Sequence, residues 1–199
     1  MKMRSGTGIS RMRDAAEAGR EAAAAAVAGL AGELPALVIV FTTPRYDLPA
    51  LLASIRSVTG DAHLIGATGS GEIVQGQHLG FGGGVGVLAL TAGPYRFGVA
   101  SADHIRGQLN QTGQAITRAS RAEAGSSPHA VVLLLADCLA GDLQQLFQGA
   151  YRITGPKVSI TGGAAGDELK FVRTCVFHDD RVVEEGAVAL WIASERPLP

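Results

Sequence analysis

The chain reads as one segment used twice. Residues 47–72 can be laid over residues 142–167 at an offset of 95. They then match at Asp47 and Asp142, Leu48 and Leu143, Leu51 and Leu146, Thr59 and Thr154, Gly60 and Gly155, Ile65 and Ile160, and Gly71 and Gly166. Glu72 falls on Asp167, an acid on an acid. Chance supplies roughly two identities in such a window, because each common residue makes up less than about a tenth of an average chain. The apolar runs before each copy (36–42 and 130–136) also match, and "GVLAL" at 86–90 echoes "GAVAL" at 186–190. The implied fold class is α/β. Two pseudo-symmetric strand–helix–strand–strands repeats, about residues 36–103 and 130–194, form mixed β-sheets flanked by helices. Units this short bury too little to fold separately, so residues 1–199 are expected to form a single domain. Packing about a pseudo-twofold axis would place the glycine-rich loops that end the copies in equivalent, adjacent positions.

Local signals agree. Residues 1–9 suit a short strand, and Ser10 is placed to cap an alanine-rich helix running to about Leu30. "ALVIVFTT" (36–43) and "AVVLLLAD" (130–137) are continuous apolar runs that suit strands buried on both faces. Asp47 caps a helix with Pro49 in its first turn, and residues 142–153 repeat that pattern. A polar helix is expected from about Ile105 to Ala124. "AGPY" is read as a turn within a strand-rich stretch over 73–103. "KVSI", "KFVRTCVF", "RVVEE" and "AVALWIAS" are read as strands.

The glycine loops, "GATGSGE" (66–72) and "GGAAGD" (162–167), pose the functional question. Gly66 to Gly71 has the outline of a phosphate loop, but the next residue is Glu72 where Lys is needed, and the second loop also ends in an acid. A phosphate is repelled there. "GVGVLA" (84–89) fits a dinucleotide fingerprint in letters only, since a strand rather than a helix follows. Backbone N–H groups beside a carboxylate suit a zwitterion such as an amino acid, and Thr68 and Ser70 add hydroxyls. The alternative is that the glycines only permit tight turns while Glu72 and Asp167 satisfy turn N–H groups. Arg45, in "TTPRYD" at the end of a strand, either pairs with a ligand carboxylate or bridges to Asp47.

Other chemistry is sparse. No G-x-S-x-G elbow or H-E-x-x-H helix occurs, and the five histidines are single and far apart. His178 with Asp179 and Asp180 reads as a hairpin turn rather than a metal site. No metal and no cofactor are expected; His63 and His78 are weak candidates for a haem ligand. Cys138 and Cys175 have no metal-ligand spacing and read as reduced thiols. With a formal net charge of −1 and no basic stripe, nucleic acid is not an expected partner. The polar N-terminus and the absence of a long apolar run point to a cytoplasmic protein without a membrane partner.

The runs "VIVFTTPRYDLPALLASIRSVTGDAHLIGATGSGEI" and "LLLADCLAGDLQQLFQGAYRITGPKVSITGGAAGDELKFVRTCVFHDDRVVEEGAVALWI" resemble the two halves of a FIST N-terminal domain. "GGAAGD" with the "VF", "V" and "G-VA" positions behind it is the most specific part. Ala67 stands where the family often has a cysteine, which removes a thiol. The resemblance implies a bacterial, non-enzymatic sensory input module that binds small ligands such as amino acids and works in signal transduction. It also implies a C-terminal FIST domain or a signalling output partner, or a homodimer. On this reading Gly66, Thr68, Ser70, Gly71, Glu72, Gly162, Gly163, Asp167 and Arg45 are the candidate ligand-binding residues, with no catalytic residue. The alternatives are an interaction scaffold without a small ligand, or a hydrolase using a loop Ser or Thr.

Overall fold

The structure, a computed structural model, describes residues 2–198. The elements run β1 (Ser5–Ser10), α1 (Ala15–Ala28), β2 (Leu37–Thr42), α2 (Leu48–Thr59), β3 (His63–Thr68), β4 (Ile73–Val74), β5 (Gln77–His78) and β6 (Val85–Leu90). The second half follows as β7 (Tyr95–Ala102), α3 (Leu109–Ala124), β8 (His129–Asp137), α4 (Leu143–Thr154), β9 (Ser159–Ala165), β10 (Cys175–His178), β11 (Arg181–Glu184) and β12 (Ala187–Ser194).

The strand order exposes the repeat. One sheet is ordered β1-β6-β2-β3-β10-β11 and the other β7-β12-β8-β9. The first four strands of the one correspond to all four of the other, and in each sheet a single pair (β2 with β3, β8 with β9) is parallel. Counted by strand order, the first unit therefore begins at Ser5 and the second at Tyr95. These limits differ from those read from the sequence, because the first unit gains β1, which pairs with β6, and the second takes β7, which pairs with β12. Pairing also sets the true equivalences. Val40 faces Gly66, and Leu134 faces Gly162. A Cβ on Gly66 would lie 1.9 Å from the Val40 carbonyl oxygen, and one on Gly162 would lie 1.8 Å from that of Leu134. The matching offset is thus 96 at β3 and β9, one more than over the helices. Val40 pairs with Val87 and Leu134 with Ala189, so "GVLAL" corresponds to residues 188–192, not 186–190.

The layers are helix, sheet, sheet, helix. Alternation along β2 sends Val38 and Val40 toward α1 and α2, where they pack with Leu51, Leu52, Ile55 and Phe177. Leu37 and Ile39 point the other way, toward Phe97, Leu133, Leu135 and Leu190 of the second sheet. Helices α3 and α4 cover the outer face of that sheet through Ile116, Leu134, Leu146 and Ala189. The capping aspartates act as their positions suggest: Asp47 accepts from Ala50 N–H at 3.1 Å and Asp142 from Gln144 N–H at 3.0 Å.

Some boundaries differ from expectation. Asp14 rather than Ser10 caps α1, accepting from Glu17 N–H at 2.9 Å. Ser10 ends β1 and bonds its hydroxyl to Glu21. Helix α3 starts at Leu109, because Ile105 is a buried loop residue held to the Glu185 carbonyl at 3.0 Å. Strand β9 extends through Ala165 and takes in Gly162 and Gly163, while residues 168–173 form a loop rather than strand. Strand β2 is not buried on both faces throughout: Phe41 is 40% exposed, since the inner face of the first sheet opens into a cavity there.

Candidate functional site

Both glycine stretches begin inside β3 and β9 and run out past the carboxyl ends of the parallel strand pairs, where open α/β sheets leave their crevices. They meet as the repeat implies. Gly166 N–H donates to the Thr68 carbonyl at 2.8 Å, and Glu168 N–H donates to Ser70 Oγ at 3.0 Å. At the offset set by Gly66 and Gly162, the counterpart of Glu72 is Glu168, the residue after the one matched by letters. Sequence comparison missed Glu168; the one-residue shift at β9 was its only signal.

Three acids occupy three environments. Asp167 is buried, and its carboxylate accepts from the N–H groups of Phe171, Val172 and Arg173 at 2.8, 2.6 and 3.0 Å. Burial alone would raise it, but the N–H donors of Val172, Arg173 and Phe171 hold it below the ordinary aspartate value. Glu168 accepts from Thr43 Oγ1 at 2.6 Å, from Gly82 N–H, and from Lys170 Nζ at 3.0 Å. The Thr43 hydroxyl, more than burial in the other sense, keeps it below its usual value. Glu72 is different. It is 3% exposed, and neither carboxylate oxygen has a partner among the described residues. Burial pushes this carboxyl up to about 7. The Glu168 carboxylate adds to the rise, against the pull of Glu72's own N–H and of Arg45.

Glu72 lines a cavity of about 460 Å³. The remaining wall is mostly apolar: Ile39, Phe41, Val87 and Leu88 of the first sheet, Leu133 of the second, and Ile73 and Val74 of β4. Gly69 and Gly71 complete it on the loop side. Gly71 has φ 125°, which a side chain rarely adopts, and a Cβ there would stand 3.2 Å from His78 Nε2. A hollow of about 700 Å³ opens at the opposite end, between Leu34, Asp61, His63 and Arg96. None of its lining side chains is buried, polar and without a partner among the described residues.

The other sequence candidates take supporting positions. Thr68 Oγ1 accepts from Cys175 N–H at 3.1 Å, and Ser70 holds the second loop. Gly66 and Gly162 are packing positions inside strands, and Gly163 lies on exposed β9. Arg45 does not bridge to Asp47, which is spent on its helix cap. It donates to Tyr46 Oη at 2.9 Å and lies over that ring, 4.8 Å from the centroid. Asp179 and Asp180 form the β10–β11 turn, and among the described residues no group of three or more His, Cys, Asp or Glu is placed to hold a metal. No histidine is hydrogen-bonded to Thr68 or Ser70 among the described residues. The serine–histidine contact, Ser101 Oγ with His178 Nδ1 at 2.7 Å, lies elsewhere, between β7 and β10. Cys175 is buried, which pushes its thiol up to about 11. No described helix is long and apolar enough to cross a membrane.

Fold and site define a two-fold-repeated α/β module with a mostly apolar cavity at its loop end. Residues 36–199 match the FIST N domain, so the chain belongs to the FIST N domain family, a sensory family of signal transduction. No curated protein matches the sequence. A solved structure described as "Cyanuric acid hydrolase: evolutionary innovation by structural concatenation" is similar over 99% of this chain and 69% of that chain, with a TM-score of 0.44 and 12% identity.

Proposed function

We propose that this domain is a non-enzymatic input module that binds a small molecule in the cavity beside Glu72. The observation that carries the reading is Glu72 itself. A buried carboxyl with neither oxygen partnered costs stability, and a ligand donor reaching it would recover that cost. The apolar wall asks for an apolar body, and the single acid asks for one ammonium or N–H donor. An apolar amino acid or related amine meets both requirements, with its carboxylate toward the Gly69–Gly71 backbone. Asp167 and Glu168 are committed to the chain, so they shape the loops rather than the ligand contact.

The test is a thermal-shift and calorimetric screen of free amino acids and simple aliphatic and aromatic amines at neutral pH. A ligand bound only by the native state raises the melting temperature by mass action. At least one apolar amine is expected to do so in the wild type and not in Glu72→Gln. A shift equally large in Glu72→Gln, or none with any compound, overturns the reading.

A second reading concerns the rim. Ile73, Phe81, Leu169, Phe171 and Val172 beside the loops are between 63% and 79% exposed. Such a patch suits a covering partner, either a C-terminal FIST domain or a signalling output protein. Serine at Phe171 and Val172 is then expected to abolish co-purification of that partner without changing ligand-induced shifts.

A further inference from the structure

The two halves are not treated alike at their β3 and β9 edges. In the first half, β10 adds antiparallel to β3, with Val176 opposite Ala67, Phe177 opposite Gly66 and His178 opposite Ile65. Phe177 lies over Gly66, its ring 2.9 Å from where a Cβ would stand, and reaches the core under α2. Asp179 closes the strand. It accepts from Leu64 N–H at 3.0 Å, donates its own N–H to the Leu64 carbonyl at 2.8 Å, and sits 3.9 Å from the Arg56 guanidinium.

The second half has the same receptor and no strand in it. Strand β9 is the edge of its sheet, with Ser159 and residues 161–164 exposed. By the β3 register, the N–H and carbonyl groups of Ile160, Gly162 and Ala164 point away from β8, as those of Leu64, Gly66 and Thr68 point away from β2. A groove of about 470 Å³ runs beside this edge between α4 and β9, lined by Phe147, Tyr151, Arg152 and Ile160. Phe147 corresponds to Leu52, which packs with Phe177 in the first half. The hairpin that would reciprocate is β4–β5. It comes from the shorter connection 69–84, against 166–186 in the second half, and it packs back on the first sheet with Val74 against Gly86.

We propose that the β9 edge and the α4 groove receive an extended strand from a partner protein, antiparallel to β9, with a large apolar side chain opposite Gly162 and an acid two residues on, opposite Ile160. Exposed strand edges readily accept such additions, in which main-chain bonds give affinity and alternate side chains give specificity. Arg152 is the charged residue lining the groove, and it complements the acid as Arg56 complements Asp179. A second copy of β9 fits poorly. Centred on Gly162, it would set Gly162 opposite Gly162 and Ala164 opposite Ile160, with neither a large apolar side chain nor an acid at those places.

The probe is a labelled peptide of residues 173–184 carrying Cys175→Ser, titrated into the full chain by fluorescence anisotropy with amide exchange followed by NMR. Saturable binding is expected, weakened about tenfold when the peptide carries Phe177→Ala. Arg152→Glu in the protein is expected to weaken binding severalfold, and Asp179→Lys in the peptide to restore it. Amide exchange at Ile160, Gly162 and Ala164 should slow on binding while that at Leu64 and Gly66 does not change. No saturation up to about 1 mM, affinity indifferent to Phe177→Ala, or β9 amides already protected in a concentration-dependent dimer would each overturn the proposal.

Discussion

Glu72 and Glu168 occupy equivalent places in the two repeats and have opposite chemistry. Glu168 finds three donors, whereas Glu72 finds none among the described residues. The sign of the pH effect follows. A carboxyl raised in the folded state is protonated there while the unfolded chain is already ionised, so stability falls as pH climbs from about 4.5 through about 7. Without ligand, the ionised group costs about 3 kcal/mol. Glutamine mimics the neutral acid, so Glu72→Gln is expected to lie within about 1 kcal/mol of the wild type at pH 5 and exceed it by about 3 kcal/mol at pH 8 in urea melts. Asp167 works in reverse. Its lowered value contributes stability above the unfolded pKa that is lost as pH falls through the folded one. Asp167→Ala removes the buried acceptor shared by three N–H groups and should cost about 1–3 kcal/mol. Faster exchange of the Phe171, Val172 and Arg173 amides is the check.

Paired helices pack by the same device in both halves. Gly19 of α1 lies against α2 and Gly113 of α3 against α4. A Cβ on Gly19 would stand 2.7 Å from the Leu51 carbonyl oxygen, and one on Gly113 would stand 2.1 Å from that of Leu146. Leu51 and Leu146 are themselves matched at the 95-residue offset. Two effects compete in Gly113→Ala. Helix propensity favours alanine by about 1 kcal/mol, while forcing a methyl into a neighbouring helix backbone costs about 1–3 kcal/mol. The obstacle is backbone and cannot swing aside, so overpacking wins. A lower denaturant midpoint with an unchanged slope is the expected result.

The halves are knitted together rather than stacked. The β10–β11 hairpin belongs to the second half by sequence and completes the first half's sheet, and Phe177 is fully buried among α1 and α2 residues. Phe177→Ala should therefore cost about 3–5 kcal/mol and unfold both halves in one transition. A fragment ending at residue 92 lacks β10 and leaves the Gly66 edge of β3 bare. It is expected to show no cooperative melt by circular dichroism, whereas folding of that fragment would mean that the hairpin is dispensable.

The repeat, the element types, the aspartate caps of α2 and α4 and the family were legible in the sequence. They rest on local rules: side-chain periodicity, capping chemistry and residue identity at fixed offsets. The same rules brought the two glycine loops together, and Glu72 was visible as an acid ending one of them. Its isolation was not visible. Whether Glu72, Asp167 or Glu168 keeps a free carboxyl depends on where the N–H groups of residues 171–173, the Thr43 hydroxyl and Gly82 lie in space. The unequal edges were hidden too, since β4–β5 and β10–β11 look alike as short strand pairs. Local pattern specifies elements because it acts through neighbours along the chain. Strand exchange and the donors that reach Glu168 from Thr43 and Gly82 are set by contacts between residues about a hundred positions apart, and only the packed molecule decides them.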